Sequence, residues 1–283
     1  MKNFIIRTIT AVFFVAAIVT SFLRPEAMIL LFALVTGMTV WEFCTLVSDR
    51  PGVQVNRFIS TVAGVYLFLA MAGHCSGRVT SDTVFIPYLV SIIYLMVAEL
   101  YLKAEDPVNN WAYTLMSQLY IALPFSLLNV LAFRSTGTSI QYSYLAPLSI
   151  FVFLWVNDAG AYICGSLLGR HKLFPRISPG KSWEGSIGGG LLVVAASIGV
   201  WYLTEQYGVN DLGLTAWEWA GLGLVIVIFG TWGDLVESLL KRTLHIKDSG
   251  NILPGHGGML DRFDSTLMAV PASVVYLYTL TIV

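Results

Sequence analysis

Apolar residues in this chain gather into long runs separated by short polar connections. Nine runs reach bilayer-crossing length, about 17–25 residues, near 4–23, 27–48, 58–73, 84–102, 111–133, 145–168, 184–204, 217–240 and 264–282. The third is the shortest. The pattern predicts an all-α, polytopic membrane bundle of about nine transmembrane helices. The first run has the outline of a signal peptide, with Lys2 and Arg7 ahead of an apolar core. No small-x-small cleavage site follows, however, and the chain continues Phe22-Leu23-Arg24-Pro25. It is therefore expected to remain as a first helix.

Composition agrees. Of 283 residues, 56% are hydrophobic and 12% charged, with a mean hydropathy of +0.74. Soluble domains have about 45–50% and 25%. The three cysteines exclude a disulfide framework or a zinc site: Cys44 and Cys164 lie in apolar runs, Cys75 lies in a short loop, and none forms a CxxC. The polar loop 205–216, with Trp201, Trp217 and Trp219 around it, reads as an interfacial edge. There is no repeat or separate soluble domain. Five N-terminal helices (1–140) and four C-terminal helices (141–283), with loops 169–183 and 241–263, are expected as one integrated unit.

Loop charge sets the orientation. With the N-terminus in the cytoplasm, thirteen of the 16 lysines and arginines face inward. Only Arg24, Arg78 and Arg134 face outward. The C-terminus is then outside, and loops 169–183 and 241–263 are cytoplasmic. A bacterial inner membrane is the expected location.

Charge is concentrated in one place. The 27 residues from Ser238 to Asp264 carry Lys241, Arg242, Lys247 and Arg262 beside Asp248, Asp261 and Asp264. Ionisable residues within spans are costly and point to function. Asp158, after Asn157, lies roughly 15 Å from the cytoplasmic end of its helix, and Asp234 about 10 Å before Lys241, at 1.5 Å per residue. Asp234, Glu237 and Lys241 share one helical face, so a structural pair of Lys241 with Asp234 or Glu237 is an alternative to a catalytic role. Asp261 and Asp264 open the last helix, where capping is an alternative. Yet Asp234, Asp248, Asp261 and Asp264 all fall at one membrane face. Hard cations such as Mg²⁺ take one or two carboxylates plus substrate phosphate oxygens. Acids beside bases and a glycine-rich turn suit phosphoryl or nucleotidyl transfer.

Pro254-Gly-His-Gly-Gly258 brings backbone N–H groups within reach of an anion. His256 there either bonds a phosphate or satisfies a tight loop. Gly180-Lys181-Ser182 resembles the end of a Walker A loop, but position 175 is proline and no strand precedes it, so a P-loop is excluded. Lys181, Ser182 and Glu184 are candidates for phosphate contact at a helix start, with a solvated helix start as the alternative. Gly188-Gly189-Gly190 is expected to permit close helix packing.

These residues bear a resemblance. The pattern Ser238-x-Leu-Lys-Arg, four residues, Lys247-Asp-x-Gly, two residues, Leu253-Pro-x-His-Gly-Gly-Met-x-Asp-Arg-Phe-Asp264 resembles the signature of the phosphatidate cytidylyltransferases without departure. Trp155-Val-Asn157-Asp158, Ser178-Pro-Gly-Lys181-Ser-Trp-Glu184-Gly185 and Gly233-Asp234 extend it. Gly180 stands where many members have a second lysine or similar polar residue. Residues 1–140 match only as a set of membrane helices.

The resemblance implies that CTP and phosphatidic acid give CDP-diacylglycerol and pyrophosphate, with Mg²⁺ and room for a second cation, at the bilayer surface. It implies Asp234, Asp261 and Asp264 as metal ligands, and Lys241, Arg242, Lys247 and Arg262 as phosphate-neutralising groups. Asp248 and His256 complete the catalytic set. Asn157, Asp158, Lys181, Ser182, Glu184, Gly257 and Gly258 are expected at the substrates. Nucleic acid is not an expected partner; a homodimer is permitted. A CTP-dependent lipid kinase or another lipid nucleotidyltransferase is the nearest alternative. An ion-coupled transporter using Asp158 and Asp234 is more distant, since no inverted repeat is evident.

Overall fold

The computed structural model describes residues 2–135, 137, 139–250, 252 and 257–280, with the backbone alone for 2–7. In chain order the helices are α1 (Lys2–Phe22), α2 (Pro25–Ser48), α3 (Arg57–Cys75), α4 (Ile86–Leu102), α5 (Pro107–Met116), α6 (Leu123–Ala132), α7 (Leu145–Leu168), α8 (Trp183–Gln206), α9 (Ala216–Thr243), α10 (Leu260–Phe263) and α11 (Thr266–Thr279). A π-helical segment, Ser117–Ala122, joins α5 to α6, so Pro107–Ala132 runs as one long helix. Prolines at the first turns of α2 and α5 suit positions that need no N–H donor. Asn56 and Asp106 cap α3 and α5 through the N–H groups of Ile59 and Asn109, each at 3.1 Å.

Among the described residues, seven helical segments are long and apolar enough to cross a membrane: Pro25–Ser48, Arg57–Cys75, Asp82–Leu102, Pro107–Ala132, Leu145–Leu168, Trp183–Gln206 and Ala216–Thr243. They correspond to seven of the nine expected runs, and the chain reads as an integral membrane protein. The first run contributes the shorter apolar helix Thr8–Phe22. The last forms α11, whose 14 residues span about 21 Å of a hydrocarbon core about 30 Å thick. Two antiparallel hairpins depart from the all-α expectation. Strands β1 (Phe133–Ser135) and β2 (Ile140–Tyr142) pair Phe133 with Tyr142. Strands β3 (Lys172–Phe174) and β4 (Ser178–Ser182) pair Lys172 with Ser182 and Phe174 with Ser178. Both lie in polar connections, where the backbone no longer has helical partners and finds them across a turn.

The chain packs as two compact units, Met1–Tyr142 with Thr243–Phe263, and Ser143–Arg242 with Asp264–Val283. Most of the charged segment thus groups with the N-terminal helices, whereas a division at residue 140 would put it with the C-terminal half. In the first unit α2 lies against α1 and α3, and α3 against α6. The Phe263 ring of α10 sits 5.5 Å from Phe14, 6.2 Å from Phe32 and 5.3 Å from Phe125, centroid to centroid. Such edge-on aromatic packing is worth about 0.5–1.5 kcal/mol per pair beyond area burial. Glu99, buried near the end of α4, accepts a 3.0 Å bond from Asn110 Nδ2, and Asn110 Oδ1 accepts the Gln54 N–H at 2.7 Å.

In the second unit α7 and α8 run against each other through small residues. A Cβ on Gly185 would come within 2.8 Å of the Ala161 carbonyl, and one on Gly189 within 2.8 Å of the Asn157 carbonyl. The two contacts recur four residues apart on each helix, one turn of a shared seam. The glycine run 188–190 therefore serves packing, as its composition suggested.

Gly189→Ala should lower the thermal unfolding midpoint in detergent, since overpacking costs about 1–3 kcal/mol. Gly199→Ala on the same helix, where an added Cβ meets nothing within 4 Å, should leave the midpoint unchanged or raise it.

Candidate active site

The second unit holds a cavity of ≈ 370 Å³ between α7, β4, α8 and α9. Asn157 and Asp158 of α7, Lys181 and Ser182 of β4, Ser186 of α8, and Thr231 and Asp234 of α9 line it. Five of the residues singled out from sequence thus come together: Asn157, Asp158, Lys181, Ser182 and Asp234.

The hairpin positions Lys181. Ser182 ends β4 and begins α8, accepting the Gly185 N–H at 3.2 Å as the helix cap. The Trp183 N–H bonds the His171 carbonyl at 2.9 Å, across the base of the hairpin. Glu184 receives the backbone N–H groups of Arg170 and His171 and the His171 ring at 2.6 Å. Glu184 therefore acts on the hairpin, not in the cavity lining. From the turn, the Ile177 carbonyl accepts the Arg242 side chain at 3.4 Å. A short strand, β3, does precede Gly180-Lys181-Ser182, against expectation; the P-loop is excluded because these residues lie on its antiparallel partner β4 and position 175 is proline.

Lys181 Nζ reaches Asp234 Oδ2 at 2.6 Å, and the Ser238 hydroxyl donates to Asp234 Oδ1 at 3.1 Å. The partner of Asp234 is thus Lys181 from a separate hairpin. Lys241 pairs instead with Glu237, one turn away, at 2.6 Å. Asp264 comes close because α9 carries Gly233: a Cβ there would lie 2.6 Å from the Asp264 carbonyl. The Asp264 carboxyl is repelled by Asp234 and Asp158 and attracted by Lys181. Burial, with Asp234 and Asp158 adding to it, pushes the Asp264 carboxyl up to about 7, so acids gathered here are ready to share a cation. The buried Asn157 has an Oδ1 with no hydrogen-bond partner among the described residues.

A resident metal must fit these groups. Among the described residues no three acidic, histidine or cysteine side chains form a ready-made cage. Mg²⁺ needs none: it is commonly held by one or two carboxylates, with waters and substrate phosphate oxygens completing the octahedron. Carboxyl groups beside an open cavity fit that chemistry.

The remaining candidates lie in the first unit. Lys247, Asp248 and Arg262 are exposed. Asp261 Oδ2 accepts the Ser249 N–H at 2.8 Å and the Gly258 N–H at 2.9 Å, so this carboxylate holds its own segment together. Gly257 has φ +81°, a left-handed conformation that suits glycine. His256 lies outside the described residues. Glu42 of α2, which sequence reasoning passed over, accepts the Ser249 hydroxyl at 2.5 Å. A single acid inside the run 27–48 was its signal.

Comparison with known proteins places these residues in a wider set. The family model described as "Cytidylyltransferase family" matches residues 5–280. A phosphatidate cytidylyltransferase of Staphylococcus haemolyticus (strain JCSC1435) is 32% identical over 267 residues, 94% of this chain and 96% of that protein. The proteins of that name from Staphylococcus aureus (strain COL) and Staphylococcus epidermidis (strain ATCC 12228) are each 30% identical over the same shares.

Lys181→Met should destabilise the protein more than Lys181→Met combined with Asp234→Asn, because the single change leaves a carboxylate beside two others. Unfolding midpoints of the two single variants and the double should give a coupling of about 1 kcal/mol.

Proposed function

The chain belongs to the cytidylyltransferase family and is a nucleotidyltransferase; from that premise we propose that it transfers CMP from CTP to phosphatidic acid, giving CDP-diacylglycerol and pyrophosphate. The observation that carries this reading is the cavity lined by Asp158 and Asp234, in which Lys181 pairs with Asp234, and beside which Asp264 feels both acids. A site that must gather a triphosphate and a phosphomonoester needs cations, both side-chain and metal, and carboxyl groups beside an open cavity are what a metal needs. The three relatives carry the name of that reaction.

In the reading, a phosphate oxygen of phosphatidic acid attacks the α-phosphorus of CTP. The new P–O bond forms in line with the breaking α–β P–O bond, whose electron pair leaves with pyrophosphate. The attacking oxygen is already anionic, so no strong base is required, and catalysis consists of positioning and charge neutralisation. A bound Mg²⁺ supplies neutralisation of the phosphate oxygens. Asp234 and Asp264 would hold it, with Asp158 as a third acid that could share a second cation. Asp234 also aligns Lys181, whose ammonium is assigned to a phosphate once substrate enters. Asn157 offers its unpartnered oxygen to a substrate donor. Lys247 and Arg262 are assigned to phosphate by the family resemblance, and Asp261 to its own segment. The lysine and arginine bias of the loops supports a cavity open to the cytoplasm, in a bacterial cell membrane.

Purified protein given phosphatidic acid, Mg²⁺ and α-labelled CTP should place label in lipid with equimolar pyrophosphate. Asp234→Asn and Asp264→Asn should each lower kcat roughly a hundredfold. Lipid labelled from γ-labelled CTP instead, with CDP released, would identify a kinase and overturn the proposal.

A further inference from the structure

A carboxylate inside an apolar helix is retained only with full partnering. Glu42 lies six residues before the end of α2, at 6% exposure. Its partners come from a segment 207 to 218 residues further along the chain. Oε1 accepts the Ser249 hydroxyl at 2.5 Å and the Leu260 N–H at 3.0 Å, and Oε2 accepts the Met259 N–H at 2.9 Å.

The same segment is cross-tied by Asp261, through the Ser249 and Gly258 N–H groups at 2.8 and 2.9 Å. Ser249 Oγ in turn accepts the Asp261 N–H at 3.3 Å. Glu42, Ser249 and Asp261 therefore form a closed knot with two ends of the segment in it.

Two glycines make room for Glu42. A Cβ on Gly250 would stand 2.7 Å from Oε2, and one on Gly258 2.1 Å from Oε1. Glycine at these places is a steric requirement of the carboxylate. The knot fixes the backbone next to each of the charged residues: Lys247 and Asp248 directly precede Ser249, and Arg262 directly follows Asp261.

We infer that Glu42 is a positioning residue for nucleotidyl transfer, acting through Ser249 and the N–H groups of Met259 and Leu260 to set where Lys247 and Arg262 stand. It touches no substrate. The inference rests on the proposed reaction, because that reaction gives those two cations phosphates to neutralise. A misplaced cation loses interaction with charge that develops on the leaving pyrophosphate, so the deficit belongs in kcat more than in KM.

The test uses the full chain in detergent micelles with phosphatidic acid, α-labelled CTP and Mg²⁺. Glu42→Gln puts an amide donor among three donors. Expected is a fall in kcat of at least tenfold, with KM for either substrate within threefold of wild type and the unfolding midpoint within a few degrees. Ser249→Ala should fall by a smaller factor, and the double variant should be no worse than Glu42→Gln, since the two act as one unit. A folded Glu42→Gln with wild-type kcat, a rise in KM alone, or losses that multiply in the double variant would each overturn the inference. If Glu42→Gln does not fold, Ser249→Ala decides alone by the same split between kcat and KM.

A second readout needs no reaction: trypsin should cut at Lys247 or Arg262 faster in Glu42→Gln than in wild type, and equal rates would remove the knot. Wild-type protein that labels no lipid, while the variant is cut faster, would mean that the proposed reaction has failed and the knot has not.

Discussion

A charge carried on an apolar helix must be partnered, and in this protein the partners come from elsewhere in the chain. An unpaired buried charge costs several kcal/mol, a large share of a net stability of about 5–15 kcal/mol. Asp234 on α9 is met by Lys181 from the β3–β4 hairpin. Glu99 on α4 is met by Asn110, and Glu42 on α2 by Ser249 and two backbone N–H groups. Glu237 takes the one local solution, Lys241 a turn away. Each long-range pairing also shapes a polar connection. The hairpin must bring Lys181 to α9, and Ser249, Met259 and Leu260 must be brought to Glu42.

Incomplete partnering marks the other kind of site. Asp158 and Asp234 both raise the Asp264 carboxyl, and Lys181 opposes them. A structural cluster would evolve toward balance; a site that takes in a cation and phosphates holds the imbalance until they bind. The close seam of α7 and α8 and the glycine at position 233 on α9 make this possible. They bring backbones near enough that acids on α7, on α9 and in the turn before α11 share one field.

Much of this was legible in the sequence. Run length and hydropathy mark nine runs. Seven of them stand as helices long enough to cross a bilayer, because a bilayer imposes that length directly, while the first and last runs contribute shorter apolar helices. Asp158 and Asp234 stand out for the same reason, as charges where charge is expensive. Pairing was legible in part. Lys241 shares a face with Asp234 and Glu237, both read as alternatives, and the shorter Glu237–Lys241 spacing holds, while a lysine from a distant hairpin, which no local spacing marks, takes Asp234. The hairpins themselves have too few residues to show a strand period. Asp261 and Asp264 look alike, three residues apart, but one is held by backbone N–H groups of its own segment and the other faces two carboxylates. Glu42 was readable by the rule that marks Asp158 and escaped notice because no motif surrounds it.

The central claim is that the cavity of α7, β4, α8 and α9 is where CTP and its metal bind. Ser186 lines that cavity on α8, and Cys44, Cys75 and Cys164 can be replaced to leave Ser186→Cys as the sole thiol. The decisive measurement is the rate at which a thiol reagent modifies Ser186→Cys, with and without CTP and Mg²⁺, followed by turnover of the modified protein. The account predicts that CTP with Mg²⁺ slows modification at least tenfold and that modified protein has lost transfer. Modification at an unchanged rate, with transfer retained afterwards, would contradict it.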